Sequence, residues 1–343
     1  MHAALISEVA ELESVVAHWL VTRLEPDGLW RDFTLPPGRS DFWSSAWIGW
    51  GLAHVQSHPQ VIWALQTVVR ALASGARPDG WGYNQRTGCD ADTTAWVVRL
   101  LAVISPAAAQ RALPALLRYV DPFGEAHTFL NPAYGRWSDT HPDVTAMVGL
   151  AALDGGATPQ VLQRIRRAVI ARSARFDQPD GTHGQANGSP LASFWWSSPA
   201  YRLGWTLCLL ARCGGIPSEL RTHSTRWIDS QAGTDLPAFE HALQLLALLA
   251  LGRVADDVVS WHVCKLLASC RRDHWHGSAA LLVPPQRLPD TGGLPLGPHT
   301  DSGPMTTSLA LAALARWRRA TGAVRVAGAQ FSPFLSHRQG ASS

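Results

Sequence analysis

Cys89-Asp90-Ala91-Asp92-Thr93-Thr94-Ala95-Trp96 sets two carboxylates two residues apart at the start of an apolar helical stretch. One reading of the pair is capping, since either aspartate can accept from the free N–H groups of a helix start and the other is favoured by the helix dipole. The second reading is acid chemistry. A carboxyl group that is withdrawn from water and sits beside another carboxylate keeps its proton to higher pH. Asp90 and Asp92 can therefore hold one general acid between them, with the hydroxyls of Thr93 and Thr94 as donors to whichever oxygen is left anionic.

Aromatic residues accompany the pair. Sixteen of the aromatic side chains are Trp, against 9 Phe and 4 Tyr. Trp43, Trp47, Trp50, Trp96, Trp195, Trp196, Tyr201 and Trp205 fall on or beside apolar helical segments. Any one of them can be core filling, but as a set they describe an aromatic cavity. A cation over such a ring gains roughly 0.5 to 2 kcal/mol. His141-Pro-Asp143-Val-Thr145-Ala146 echoes the acidic motif one repeat later; His141 reads as a helix cap, or as a group that orients Asp92 or receives a proton. His299 with Asp301, and Glu240 with His241, are weaker candidates of the same kind.

These residues recur in a repeating frame. Pro-Asp-Gly turns stand at EPDGLW (25–30), RPDGWGY (77–83) and QPDGTHG (178–184), with a degenerate LPDTGG at 288–293. In each, Pro fixes φ, Asp caps and Gly supplies positive φ. Helices rich in small and aliphatic residues are predicted at 43–55, 92–104, 143–153, 197–211, 239–251 and 305–317. Before each lies a striped helix, at 5–24, 60–74, 105–119, 158–174, 216–230 and 255–270, with arginines in the first five and Lys265 in the last. Helices apolar all round must be buried and striped ones can face water, so six pairs predict an all-α, single-domain (α/α)6 barrel over 1–323. A flexible tail is expected at 324–343, and no strand is expected. The long loops at about 25–40, 75–90, 120–140, 176–195 and 271–302 all lead into inner helices, so they crowd one mouth where six helix N-termini point.

Composition excludes several classes. With 343 residues, 46% hydrophobic and 16% charged, the chain can bury a large core. The formal charge of +3 comes from 29 basic and 26 acidic groups without a dense basic tract, so nucleic acid is not an expected partner. Five cysteines without a Cys-x-x-Cys pair read as free thiols in a cytoplasmic protein. Glu8, Glu11 and Glu13 interrupt what a signal peptide would need to be apolar. The apolar run at 242–251 is too short to span a bilayer, which leaves at most peripheral membrane contact.

Asp-Ala-Asp-Thr-Thr-Ala, set among alternating helices and Gly-x-Trp-type loops, resembles the Asp-x-Asp-Asp-Thr-Ala signature of class II terpene cyclases of the squalene-hopene cyclase superfamily. Its Asp-x-Asp-Thr-Thr form is most similar to bacterial drimenyl diphosphate synthases, and Thr93 stands where the longer signature has a third aspartate. The resemblance implies that Asp92 protonates a terminal alkene or epoxide with Asp90 in support. It further implies an isoprenoid substrate, with farnesyl diphosphate giving a drimane-type bicyclic product that keeps its diphosphate. Arg31, Arg39, Arg77 and Arg86, in the mouth loops, would then hold the diphosphate, with Mg2+ beside it. The chain lacks room for the second helical domain usual in that superfamily.

Two rival readings stand beside this one. A non-catalytic (α/α) barrel could carry a lipid or a peptide without turnover. A zinc enzyme related to prenyltransferase β-subunits or lanthionine cyclases would have to build its site from Cys89 and Asp273-His274-Trp275-His276.

Overall fold

The structure, a computed structural model, describes residues 2–55, 59–173, 193–283 and 296–330. The inner helices are α2 (Phe42–Leu52), α4 (Ala91–Ile104), α6 (Pro142–Asp154), α8 (Pro199–Arg212), α10 (Ala238–Ala250) and α12 (Pro304–Gln330). The outer helices are α1 (His2–Val21), α3 (Pro59–Ser74), α5 (Pro106–Leu117), α7 (Pro159–Ser173), α9 (Ser218–Gln231) and α11 (Asp257–Ser269). Each inner helix packs on the next, and α12 packs back on α2, so the ring closes as an (α/α)6 barrel. The two classes differ as their sequences require. All of α2 is buried, whereas α3 buries only a stripe, Val61, Ala64, Leu65, Val68 and Leu72.

In three of the repeats a tryptophan stitches the outer helix to the inner helix that follows. Trp81 Nε1 donates to Leu72 O at the end of α3 (2.8 Å), while its backbone N–H donates to Thr94 Oγ1 of α4 (3.0 Å) and its carbonyl accepts from the same hydroxyl (3.2 Å). Trp30 does the same between Leu20 and Ser45, and Trp275 between Leu266 and Thr307. The Pro-Asp-Gly turn delivers Trp81 into place. Gly80 has φ +101°, and a Cβ there would run into Thr94. The QPDGTHG and LPDTGG turns lie outside the described residues.

Two expectations need correction. The mouth loops carry two short antiparallel hairpins, β1 (Asp32–Leu35) with β2 (Gly38–Ser40), and β3 (Ala280–Val283) with β4 (Leu296–Thr300). Strands of three to five residues are too short to print a period of two in the sequence. Helix α12 runs through residue 323 to Gln330, past the expected boundary, because no proline interrupts it before Pro333; residues 331–343 lie outside those described. Among the described residues no helix is long and apolar enough to cross a membrane.

The first and last repeats are clasped at the mouth. The buried carboxylate of Asp32 accepts from Ser302 N, Ser302 Oγ and Met305 N, and so caps α12 from the opposite end of the chain. Asp301, beside it, accepts from Ala279 N and Thr306 N, and burial next to Asp32 lifts its pKa to about 7.

Candidate active site

Asp90 is the N-cap of α4. Its carboxylate accepts from Thr93 N (2.7 Å) and Thr93 Oγ1 (2.8 Å), which uses both oxygens. Asp92, in the first turn, turns into a cavity of about 300 Å³ at the barrel mouth. There Trp43 Nε1 donates to Asp92 Oδ2 at 2.9 Å. That bond engages Oδ2 and leaves Oδ1 free of the Trp43 donor. Burial, then the charges of Asp90 and Asp143, push the Asp92 pKa well above the ordinary carboxylate range. Burial also raises Asp90, but the two Thr93 donors hold it to about 6. Burial and the two neighbouring carboxylates thus favour the protonated form of Asp92, while the Thr93 donors favour the ionised form of Asp90. Asp90 is therefore the cap, and Asp92 is the carboxyl that faces the cavity.

The cavity wall is aromatic and aliphatic. Of the eight aromatic residues singled out in the sequence, Trp43, Trp195, Trp196 and Tyr201 line it. Trp47, Trp50, Trp96 and Trp205 do not. They pack one or two helical turns deeper, with Trp47 4.2 Å from Trp96 and Trp96 5.4 Å from both Trp50 and Trp205. The guanidinium of Arg99 lies 4.6, 5.0 and 5.1 Å from the ring centroids of Trp50, Trp96 and Trp205, and Arg99 Nε pairs with Asp154.

Helix direction accounts for the division. All six inner helices start at the mouth, so a residue's distance from its N-terminus sets its depth, about 1.5 Å per residue. Trp43, Asp92, Asp143 and Tyr201 stand in the uppermost layer. Trp47, Trp96, Met147 and Trp205 follow at i+4, and Trp50, Arg99, Leu150 and Cys208 at i+7. Depth was a signal available in the sequence and separates lining from floor.

Tyr83, Thr128, Phe129, Trp137 and Asp143 also line the cavity, as do Leu35 on β1 and Leu281 and Val283 on β3. The sequence gives little warning of the loop residues. Asp143 is different, because Thr145 Oγ1 accepts from Ala126 N in α6 as Thr94 Oγ1 accepts from Trp81 N in α4. The two repeats therefore superpose Asp143 on Asp92 and His141 on Asp90.

Other candidates fall elsewhere. Thr94 serves the Trp81 stitch instead of a carboxylate. His141 occupies the N-cap position of α6 without a side-chain capping bond, stacks on Phe194 and lies 2.8 Å through Nδ1 from Thr128 Oγ1. Thr128 O in turn accepts from Ala91 N, so His141 braces the loop against the acidic motif. None of the four arginines lines the cavity. Arg31 pairs with Glu25 and Asp27, Arg39 with Glu25, and Arg86 donates to Pro37 O. These three gather in a separate surface depression outside the β1–β2 hairpin, whose tip residues Pro36 and Pro37 line the cavity itself. Arg77 donates to Thr87 O, away from both.

His241 packs on His262 of α11, Asp301 caps α12, and His274 stacks on Trp19 beside Asp273. Among the described residues no group of three His, Cys, Asp or Glu side chains is arranged to hold a metal ion.

By sequence the chain matches no protein-family model and no curated protein. By structure it is similar to type II terpene cyclase MstE from Scytonema. The apo enzyme has a TM-score of 0.75 at 21% identity over 92% of this chain and 99% of that one. A variant in complex with geranylgeranyl dihydroxybenzoate has 0.74 at 20% identity over 93% and 100%. A protein from Actinoplanes follows at 0.72, with 23% identity over 91% of this chain and 99% of that one. An unsaturated glucuronyl hydrolase specific for heparin reaches 0.58 at 11% identity over 93% and 98%. The chain thus has the fold of a terpene cyclase, and since a hydrolase shares the barrel, function must come from the site.

Proposed function

We propose that this chain is a class II terpene cyclase in which Asp92 protonates the far end of a linear prenyl chain. The observation that carries the proposal is the environment of Asp92: a carboxyl whose pKa is raised by burial and two neighbouring carboxylates, held by Trp43 Nε1, and facing an apolar, ring-walled cavity. Protonating an isolated alkene demands an acid of this kind. The carbocation that follows is stabilised by the faces of Trp43, Trp195, Trp196 and Tyr201. The apolar wall also keeps water from quenching it. A binding protein would have no use for an uncharged aspartic acid in that place.

Farnesyl diphosphate, cyclised to a drimane-type bicyclic diphosphate, is the substrate we put first. Its head group would rest at the mouth beyond Pro37, within reach of Arg39 and Arg86, with Mg2+ as the counter-ion of the diphosphate. A second reading is favoured by the cavity wall, in which no arginine, lysine or histidine occurs among the described residues. A prenylated aromatic acid, like the geranylgeranyl dihydroxybenzoate bound by MstE, needs no cation cluster at the mouth.

Incubation with geranyl, farnesyl and geranylgeranyl diphosphate, and with geranylgeranyl dihydroxybenzoate, decides between them. The expected product is an isomer of its substrate with the head group intact. Stoichiometric pyrophosphate release, or no cyclised product from any of the four, would overturn the proposal.

A further inference from the structure

Protonation-initiated cyclisation must end by losing a proton, and the cavity wall restricts which group can take it. Asp90 has both oxygens committed to Thr93. Burial keeps the Tyr201 phenol neutral, and a phenol is a poor base. His141 lies behind Thr128 and does not line the cavity. Asp143 does line it, and is only 1% exposed. Its Oδ2 accepts from Ser193 Oγ and from Trp195 N (3.3 Å), while its Oδ1 is buried without a partner. An unpaired carboxylate oxygen in an apolar cavity is costly unless something electropositive arrives to meet it.

Resting on the cyclase reading above, we infer that Asp143 is the base that ends the reaction. Asp92 gives its proton to the terminal alkene, and the alkene π electrons form the new C–H bond and leave a carbocation. Ring closures carry that charge along the chain. Asp143 Oδ1 then removes a proton from the carbon next to the last cationic centre, and the electrons of the broken C–H bond become the double bond of the product. One proton is consumed and one released, so its return from Asp143 to the Asp92 carboxylate on the neighbouring helix restores the starting state. The repeat that provides the acid in α4 provides its counterpart in α6 from the superposed position.

The test compares wild type with Asp143→Asn, Asp143→Glu and Asp92→Asn on whichever of the four substrates wild type cyclises, reading melting temperature, turnover and product structure together. Asp143→Asn keeps an acceptor for Ser193 and Trp195 but loses the base, so turnover should fall about 10²-fold or more. The alkene product should give way to alcohols from water capture or to alternative double-bond isomers. Asp143→Glu should restore the native alkene at reduced rate. Asp143→Asn that yields the native alkene in the native proportion would overturn the inference, whatever its rate, because Asp92 or water would then be taking the proton. Equal product shifts in the Asn and Glu variants would overturn it as well. Failure of the cyclase reading looks different: wild type yields no cyclised product, or Asp92→Asn remains fully active.

Discussion

At the scale of single residues, the proposed chemistry rests on the raised pKa of Asp92, and that has a thermodynamic signature. A folded-state pKa raised above the ordinary value means that the native state binds more protons than the unfolded chain, so the residue's contribution to stability declines as pH rises above about 4. Asp92→Asn removes the titration. The variant should lose at least 10² to 10⁴ in turnover, on the order expected for a general acid, yet melt higher than wild type at pH 7. The gap in melting temperature should close near pH 4. Turnover near the wild-type rate would sink Asp92 as the acid, and a lower melting temperature at neutral pH would sink the burial account. The rings divide the same way. Trp43→Phe keeps a π face but removes the donor to Asp92 Oδ2, for about a tenfold loss of turnover with little change in melting. Trp47→Leu and Trp96→Leu, in the layer below, should cost about 1 to 4 kcal/mol of stability and leave product proportions unchanged. A shifted product pattern in those two would return them to the cavity wall. The sequence made Asp90, Asp92 and the upper tryptophans legible, because spacing at a helix start has a chemical meaning. It hid Tyr83, Phe129 and Trp137, which lie on loops whose course only tertiary packing fixes.

At the scale of elements, the twelve α-helices of the described residues were legible in the sequence, since an apolar helix and a striped one leave different patterns in residues 43–55 and 60–74. The hairpins were not, because Asp32–Leu35 and Gly38–Ser40 are shaped by the Pro36-Pro37 turn and by pairing, with no periodicity of their own. The stitches were half legible: Pro-Asp-Gly announces a turn, but nothing local says that Thr94 receives Trp81. Thr94→Val preserves shape and removes both bonds to the Trp81 backbone, leaving its buried N–H unsatisfied while its carbonyl keeps the Asp90 N–H. A loss of about 1 to 3 kcal/mol is expected, measured by denaturant midpoint. Turnover should drop as well, because the same turn ends at the N-cap of α4 and sets the angle at which Asp92 enters the cavity. An unchanged midpoint would mean that the stitch is incidental.

At the scale of the whole molecule, the contact between Asp32 and the start of α12 joins residues 273 apart in sequence. Asp32→Ala would leave the N–H groups of Ser302 and Met305 without their acceptor, at a cost of about 1 to 3 kcal/mol for each that stays buried. With Asp301 lifted to about 7, wild-type stability should fall as pH is raised from about 4 to 7, the reverse of a protein whose carboxylates are ion-paired. A melting temperature that rises over that interval would contradict the burial of these groups. The clasp also decides how the molecule comes apart. A row of six helix pairs in contact only with their neighbours would fray from its ends, one pair after another, over a broad transition. A closed ring has no ends to fray, so the six repeats should melt as one cooperative unit, and opening the seam at Asp32 should turn a single sharp transition into a gradual one.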